Sequence, residues 1–166
     1  MASMMNIITI ALVVCAGLFI GGRWAFERRR REELLSAPLI PEHKKIVRAR
    51  VPVYNRLPLD LRKRLDGLIN RFIDEVKFHG QQGLEITDDI RVTIAAQACL
   101  LIVNKENRWF QSLKTVFVYP AAFKSKLQQV DGHVHSERAA VRTGESWARG
   151  PVILAWDHAV YGAFAP

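Results

Sequence analysis

The segment ITDDIRVTIAAQACLLIV (residues 86–103) decides the fold of this 166-residue chain. Thr87 is followed by two aspartates, which is typical of a helix start because the hydroxyl caps a first-turn N–H and the acids complement the helix dipole. The residues that follow are apolar on nearly every side, and three alanines allow neighbouring elements to approach closely. We therefore predict a buried helix ending near Val103, at the centre of the fold. It is too short and too closely preceded by a polar loop to span a membrane.

A second helix is predicted upstream, from Asp60 to Phe78. Its apolar residues recur at helical spacing and form one stripe, which we expect to face the core. The stripe consists of Leu61, Leu65, Leu68, Ile69, Phe72 and Val76. The polar residues between them are expected mostly on the opposite, solvent side, and Gly80 is expected to help end the helix.

Two short strands are predicted downstream. TVFVY (residues 115–119) is β-branched and aromatic, and PVILAW (residues 151–156) is a second apolar run, so both are typical of buried strands. Trp109 and Phe110 are expected to pack back onto the core. Residues 123–146 are polar and are expected to form a long excursion, with a hairpin turn at Asp131 and Gly132.

Four stretches carry a resemblance to a known family: LPLDLRKRL (57–65), FHGQQGLEITDDIRVTIAAQACLLI (78–102), TVFVYPAAF (115–123) and RTGESWARGPVILAW (142–156). In this order and spacing they are similar to the Mlc titration factor A family, zinc metallopeptidases of family M90 that are also known to bind the glucose repressor Mlc. The resemblance implies an α+β fold, in which residues 57–166 form the N-terminal portion of a zincin-like peptidase domain.

The resemblance also implies a zinc motif, HEFAH, on the helix that follows these stretches in the family. Two histidines one helical turn apart bind Zn²⁺, and the glutamate acts as general base on the metal-bound water. No HExxH occurs in this sequence, because none of its histidines (His43, His79, His133, His135, His158) is followed by glutamate. We therefore expect the peptidase domain to be incomplete, with no catalytic, cofactor-binding or metal-binding residue. Zinc and a peptide substrate are implied for the full-length family, and we expect this chain to bind no zinc.

Two weaker patterns remain. His133 and His135 alternate as strand residues do and can share a cation, with only Glu137 or His158 nearby as a further ligand; an exposed hairpin is the favoured alternative. PVILAW is a candidate substrate-side strand, with Glu145 just before it, because many peptidases pair an extended substrate with an edge strand. The alternative is that Glu145 only fixes a turn.

The two cysteines, Cys15 and Cys99, offer no disulfide framework. Cys99 lies in the central predicted helix, and no histidine partner for it can be placed from the sequence. We therefore expect a small buried core residue rather than a nucleophile.

The N-terminal residues predict a membrane anchor. Residues 2–22 carry no charge, and about twenty apolar residues span a bilayer. Residues 1–26 are therefore interpreted as a transmembrane signal anchor, with residues 4–22 in the lipid bilayer. Arginines flank only the C-terminal side, which places the N-terminus outside and the remainder in the cytoplasm, as a single-pass inner-membrane protein. A cleaved signal and a misassigned start codon are the alternatives.

Residues 27–56 are interpreted as a basic juxtamembrane linker. Between residues 23 and 50 there are nine Lys or Arg and four acids, so this stretch supplies +5 of the net charge of +8. Since the excess charge is concentrated there and no nucleic-acid motif is present, we expect no nucleic-acid partner.

Two functional hypotheses follow. The first is the N-terminal fragment of a membrane-anchored zinc peptidase, whose family hydrolyses peptide bonds with zinc-activated water. The second is a non-catalytic, membrane-anchored adaptor that binds and titrates an Mlc-like transcriptional repressor.

Overall fold

A computed structural model describes residues 2–105, 109–121, 123–125, 140–142, 144–146 and 151–162. The helices are α1 (Ala2–Ser36), α2 (Pro41–Arg50), α3 (Val53–Arg56), α4 (Leu59–Glu75), α5 (Asp88–Leu100) and α6 (Trp156–Gly162). The strands are β1 (Lys77–Gly80), β2 (Thr115–Tyr119), β3 (Phe123–Ser125), β4 (Ala140–Arg142), β5 (Gly144–Ser146) and β6 (Val152–Ala155). Helices and strands are thus both present, as the α+β expectation required.

The central helix α5 confirms the main prediction. The Thr87 hydroxyl accepts the Ile90 N–H at 3.4 Å, and the middle of the helix is buried. The helix ends at Leu100 rather than near Val103, because the next N–H groups bond three residues back instead of four: Leu101 to Ala98.

The predicted apolar stripe faces the core, with Leu61 partly buried and the other five residues buried. Helix α4 stops at Glu75, however, and not at Phe78. The backbone becomes extended at Val76, and the Lys77 N–H donates to the Lys114 carbonyl at 3.0 Å. Residues 77–80 thus form strand β1, which was not predicted because the apolar spacing up to Val76 indicated a helix.

The main sheet has the strand order β1-β2-β6-β5. Strands β1, β2 and β6 are parallel, and β5 runs antiparallel to β6. The predicted strands over TVFVY and PVILAW are confirmed as β2 and β6, although the second ends at Ala155. Val116 and Val118 of β2 are buried in the core that α4 and α5 share. Strands β3 and β4 form a separate antiparallel pair.

The predicted transmembrane anchor is wrong. Within the described residues, no helix is both long enough and apolar enough to cross a bilayer. The apolar run that suggested a span at residues 4–22 belongs to the single helix α1, whose second half is highly charged. The predicted placement as a single-pass inner-membrane protein with its N-terminus outside depended on this anchor and is therefore also wrong.

The segment interpreted as a basic linker, residues 27–56, differs from that expectation. Val47, Val51 and Tyr54 are buried, at a spacing of four and three that places them along one side of consecutive helical turns. The Tyr54 hydroxyl donates to Asp66 at 2.8 Å. Burial, reinforced by this hydrogen bond, raises the pKa of Tyr54 to about 12. Basic residues surround these three positions in the sequence, so the stripe was not recognised from the sequence.

The second half of α1 packs against α4. Gly67 of α4 lies so close to α1 that a Cβ added there would come within 2.0 Å of the Leu35 carbonyl oxygen. One helical turn further along, Asn70 donates its side-chain N–H to the Ala37 carbonyl at 2.9 Å. Arg30 pairs with Asp74, another turn on. The face of α4 that the sequence assigned to solvent therefore holds a second helix.

Candidate functional site

The most distinctive feature of the sheet is its antiparallel end strand. Residues 144–146 (β5) pair with β6 in the register Gly144 to Leu154, Glu145 to Ile153 and Ser146 to Val152. Among the described strands, β5 has a neighbour on one side only. No described residue pairs with its other side, which therefore has the main-chain N–H and C=O groups of an edge strand, and such an edge can pair with another extended chain.

One row of residues crosses the whole sheet in register. His79 of β1 is opposite Phe117 of β2, Phe117 is opposite Ile153 of β6, and Ile153 is opposite Glu145 of β5. The rings of His79 and Phe117 lie 5.5 Å apart between centroids. In β2 the residues on either side of Phe117, Val116 and Val118, are fully buried, so Phe117 lies on the face opposite α4 and α5.

Helix α6 begins directly after β6 and is fixed to the core at two points. The Asp157 N–H donates to the Pro120 carbonyl at 3.4 Å, just beyond the end of β2. The Gln97 side chain of α5 donates to the Ala159 carbonyl at 2.7 Å. The ends of β2 and β6 and the start of α6 are thereby held together.

The structure corrects the interpretation of PVILAW as the substrate-side edge. Strand β6 lies between β2 and β5, so both of its sides are paired, and the edge strands of the described sheet are β5 next to β6 and β1 at the opposite end. Glu145 lies in the middle of β5, in register with Ile153. Little in the sequence indicated this strand, because its three residues are too few for an alternating pattern.

Of the remaining candidate residues, the structure describes His158 and Cys99, which lie on different helices. His158 is exposed on α6. Cys99 is fully buried, as predicted for a core residue, and burial raises the pKa of its thiol, so it remains protonated at neutral pH. His133, His135, Glu137 and the turn at Asp131 and Gly132 lie outside the described residues.

The described residues do not provide the donor atoms of a metal centre. A zinc site needs three or four nitrogen, sulfur or carboxylate donors at one point. In the described portions of the chain, no group of three or more His, Cys, Asp or Glu residues is placed to hold a metal ion. The described residues therefore do not fit a zinc centre.

Comparison with known families places this architecture among the metallopeptidases. The family model described as glucose-regulated metallo-peptidase M90 matches residues 25–165. The chain therefore belongs to the M90 metallopeptidase family. The match begins within the second half of α1, so it includes the helices that the sequence suggested as a linker.

Individual relatives agree with this assignment. The uncharacterized protein slr2042 of Synechocystis sp. is 36% identical over 152 residues, covering 90% of this chain and 54% of that protein. Mlc titration factor A of Klebsiella pneumoniae (strain 342) is 33% identical over 108 residues, covering 64% of this chain and 40% of that protein. Mlc titration factor A of Enterobacter sp. (strain 638) matches to the same extent. The chain thus spans about half the length, or less, of these relatives.

The resemblance to the Mlc titration factor A family is thereby confirmed. The members of this family are described as metallopeptidases, which normally depend on zinc.

Proposed function

We propose that this chain provides the substrate-binding sheet of a zinc-dependent peptidase of the M90 family. The observation that carries the proposal is strand β5, which runs antiparallel to β6 at the end of the sheet and has no described neighbour on its outer side. An extended peptide that adds to this edge gains main-chain hydrogen bonds without any demand on its sequence.

Strand β5 is supported by its neighbour β6. Strand β6 is paired on both sides, and its residues Val152 and Leu154 pack against the hydrophobic core. Because β5 is hydrogen-bonded to a strand that is itself fixed, its outer edge is held in place before a peptide arrives. Such preorganisation reduces the entropic cost of binding.

The chemistry in the family is peptide-bond hydrolysis. Zinc, when bound, would activate a water molecule and polarise the scissile carbonyl group. The sequence contains no HExxH, and the described residues offer no donor set, so the contribution proposed for this chain is to bind and orient the peptide.

Peptide binding can be tested at the edge strand with proline substitutions. In an antiparallel pair, successive residues direct their N–H groups alternately toward the neighbouring strand and away from it. Glu145→Pro and Ser146→Pro therefore remove one N–H directed to β6 and one directed to the free edge. Binding of fluorescein-labelled oxidised insulin B chain, an extended peptide, is measured by fluorescence anisotropy.

We expect one of these two variants to remain folded and to bind the peptide about tenfold more weakly, while the other loses stability. Lys124→Pro, in the separate β3–β4 sheet, is the matched control and should leave the affinity unchanged. Two folded β5 variants with the affinity of the original chain would exclude this edge as the binding site.

The location of the zinc ligands is tested separately by elemental analysis of the purified 166-residue chain. We expect no stoichiometric zinc and no hydrolysis of the labelled peptide. Bound zinc together with hydrolysis that a chelator abolishes would show that this sequence contains the ligands after all.

A second candidate function is titration of an Mlc-like repressor, and the name Mlc titration factor A of several relatives favours it. Binding of this kind is separable from proteolysis. We expect a purified Mlc-like repressor to associate with the chain in size-exclusion chromatography, with or without a chelator. Separate elution at micromolar concentrations of both proteins would rule out a stable complex of this kind.

A further inference from the structure

A cleft of about 640 Å³ lies between helix α1, helix α4 and the turn that precedes β2. It is separate from the edge strand β5. Arg31 of α1, Arg64 and Arg71 of α4 and Lys114 of the turn contribute four positive charges to its lining, and Glu75 is the acid among the lining residues. The described lining therefore carries an excess of three positive charges.

Glu75 is already fully engaged with the protein. Its Oε1 accepts from Arg31 Nε and from Arg71 Nε, each at 2.9 Å, and its Oε2 accepts from Trp109 Nε1 at 2.9 Å. Burial disfavours its ionisation, but the hydrogen bonds and charges of these neighbours outweigh burial and lower the pKa of Glu75. The carboxylate is ionised at neutral pH and has little capacity left for the other cations.

The cations around Glu75 retain unused donors. Arg31 and Arg71 bond to it through Nε only, so their terminal Nη groups have no hydrogen-bond partner among the described residues. The Arg71 guanidinium is held over the Trp109 ring, 3.8 Å from its centroid, which fixes its orientation. In the same described part of the chain, Lys114 has no side-chain hydrogen bond or ion pair, although it lines the cleft.

A cleft of this kind is suited to a particular ligand chemistry. Guanidinium groups hold phosphate and carboxylate oxygens through paired, charge-assisted hydrogen bonds, and an oriented guanidinium loses less entropy on binding. The volume matches that of sites for small molecules. The positive groups come from separate elements, so a ligand with several oxyanion groups would contact more of them than a single carboxylate does.

We propose that this cleft is a binding site for a small multivalent oxyanion. The site bridges α1 and α4, so the anion would also strengthen the attachment of α1 to the core. The proposal does not depend on peptide binding at β5 or on zinc.

Isothermal titration calorimetry of the whole chain at an ionic strength of about 0.15 M, where the Debye length is about 8 Å, tests the site, with sodium pyrophosphate and sodium citrate as separate probes. Lys114→Gln is the decisive variant, because the Lys114 side chain makes no described bond that the fold would lose. Arg64→Gln is a second variant and removes one hydrogen bond to the Lys105 carbonyl. Each should weaken binding about tenfold, the typical effect of losing one charge-assisted contact.

Lys63→Gln is the matched control, because Lys63 is an exposed neighbour of Arg64 on the same helix and does not line the cleft. It changes the net charge equally and should alter the affinity less than about twofold, since distant exposed charges are screened. Tighter binding of one probe identifies phosphate or carboxylate chemistry, and equal binding supports the shared oxyanion chemistry. Absence of saturable binding to either probe, or equal weakening by Lys63→Gln and Lys114→Gln, would overturn the proposal.

Discussion

The two faces of helix α4 bind their neighbours by different means. One face inserts apolar side chains into the core, where the ring of Phe72 contacts Phe78, Trp109 and Phe110 at centroid distances of 5.7–6.3 Å. The other face meets α1 through Gly67, where the helices approach closely, and through polar and charged pairs. A helix can therefore be buried on two sides while only one of them is hydrophobic.

The difference shows how a polar helix face can still be an interface. Gly67, Asn70 and Asp74 are spaced by three and four residues, so they form a stripe as regular as the apolar one. Their contacts are a steric fit, a hydrogen bond to the Ala37 carbonyl and an ion pair with Arg30. The following substitutions test whether the two faces differ in strength as well as in chemistry.

The largest effect is expected on the apolar face, from Phe72→Ala. Loss of a fully buried aromatic ring leaves a cavity and should lower the free energy of unfolding by about 3–5 kcal/mol. Urea denaturation followed by circular dichroism measures this change. Leu59→Ala, at a position 65% exposed on the same helix, should cost much less. Equal costs for the two variants would contradict the assignment of Phe72 to the core.

On the α1 side, Gly67→Ala should cost about 1–3 kcal/mol, because the new methyl group meets a backbone carbonyl that cannot rotate away. The separation of α1 should also make the arginines at 28–31 more sensitive to trypsin. Gly22→Ala is the matched control, a helical glycine with nothing within 4 Å of an added Cβ. If both variants resist trypsin equally, the close packing at Gly67 does not hold α1.

Glu75→Gln should cost about 1–2 kcal/mol at neutral pH, because hydrogen bonds to a charged carboxylate are lost. The pKa of Glu75 is lowered in the folded state, so its ionised form stabilises the fold above the unfolded pKa. That contribution disappears as the pH falls through the lowered folded value. Between pH 7 and about pH 3, the free energy of unfolding should thus depend less on pH for the variant than for the original chain.

Glu85→Gln, an exposed acid in the loop after β1, is the control for this pH series. It should follow the original chain closely. A Glu75→Gln curve parallel to that of the original chain would show that the three donors around Glu75 do not stabilise its ionised form.

The smallest effect is expected for Arg30→Gln, which removes the ion pair with Asp74. The Arg30 side chain is 56% exposed, and exposed pairs contribute about 0–1 kcal/mol. Urea denaturation at low and at high salt measures the free energy of unfolding of both chains. The difference between the variant and the original chain should become smaller as the salt concentration is raised. A large, salt-independent loss would mean that the charged stripe stabilises the fold as strongly as the apolar one.

Much of the fold could be predicted because it depends on local patterns. The cap at Thr87, the apolar stripe of α4 and the β-branched run of β2 each determine their element within a few residues. The end of α4 could not be predicted, since Val76 and Phe78 suit a helix or a strand and the choice is made by pairing with β2. The membrane anchor was predicted from hydropathy alone and was wrong.

The candidate site was harder to predict from the sequence than the fold. The edge strand β5 is defined by its pairing with β6, a contact between residues whose spacing gives no periodic signal. The cleft beside Glu75 combines residues from α1, α4 and the turn before β2, which are separated by about forty positions at each step. The basic run in α1 was visible, but its partners Asp74 and Glu75 were not.

The three hydrogen bonds that Glu75 accepts couple the unfolding of separate parts of the molecule. One carboxylate joins the second half of α1, helix α4 and Trp109, so none of these can separate without breaking a bond to the same group. They should therefore unfold as one cooperative unit. In native-state hydrogen exchange, the amides of residues 30–36 should then show the same free energy of opening as the amides of α4. The amides near residue 20 should show a much lower free energy of opening.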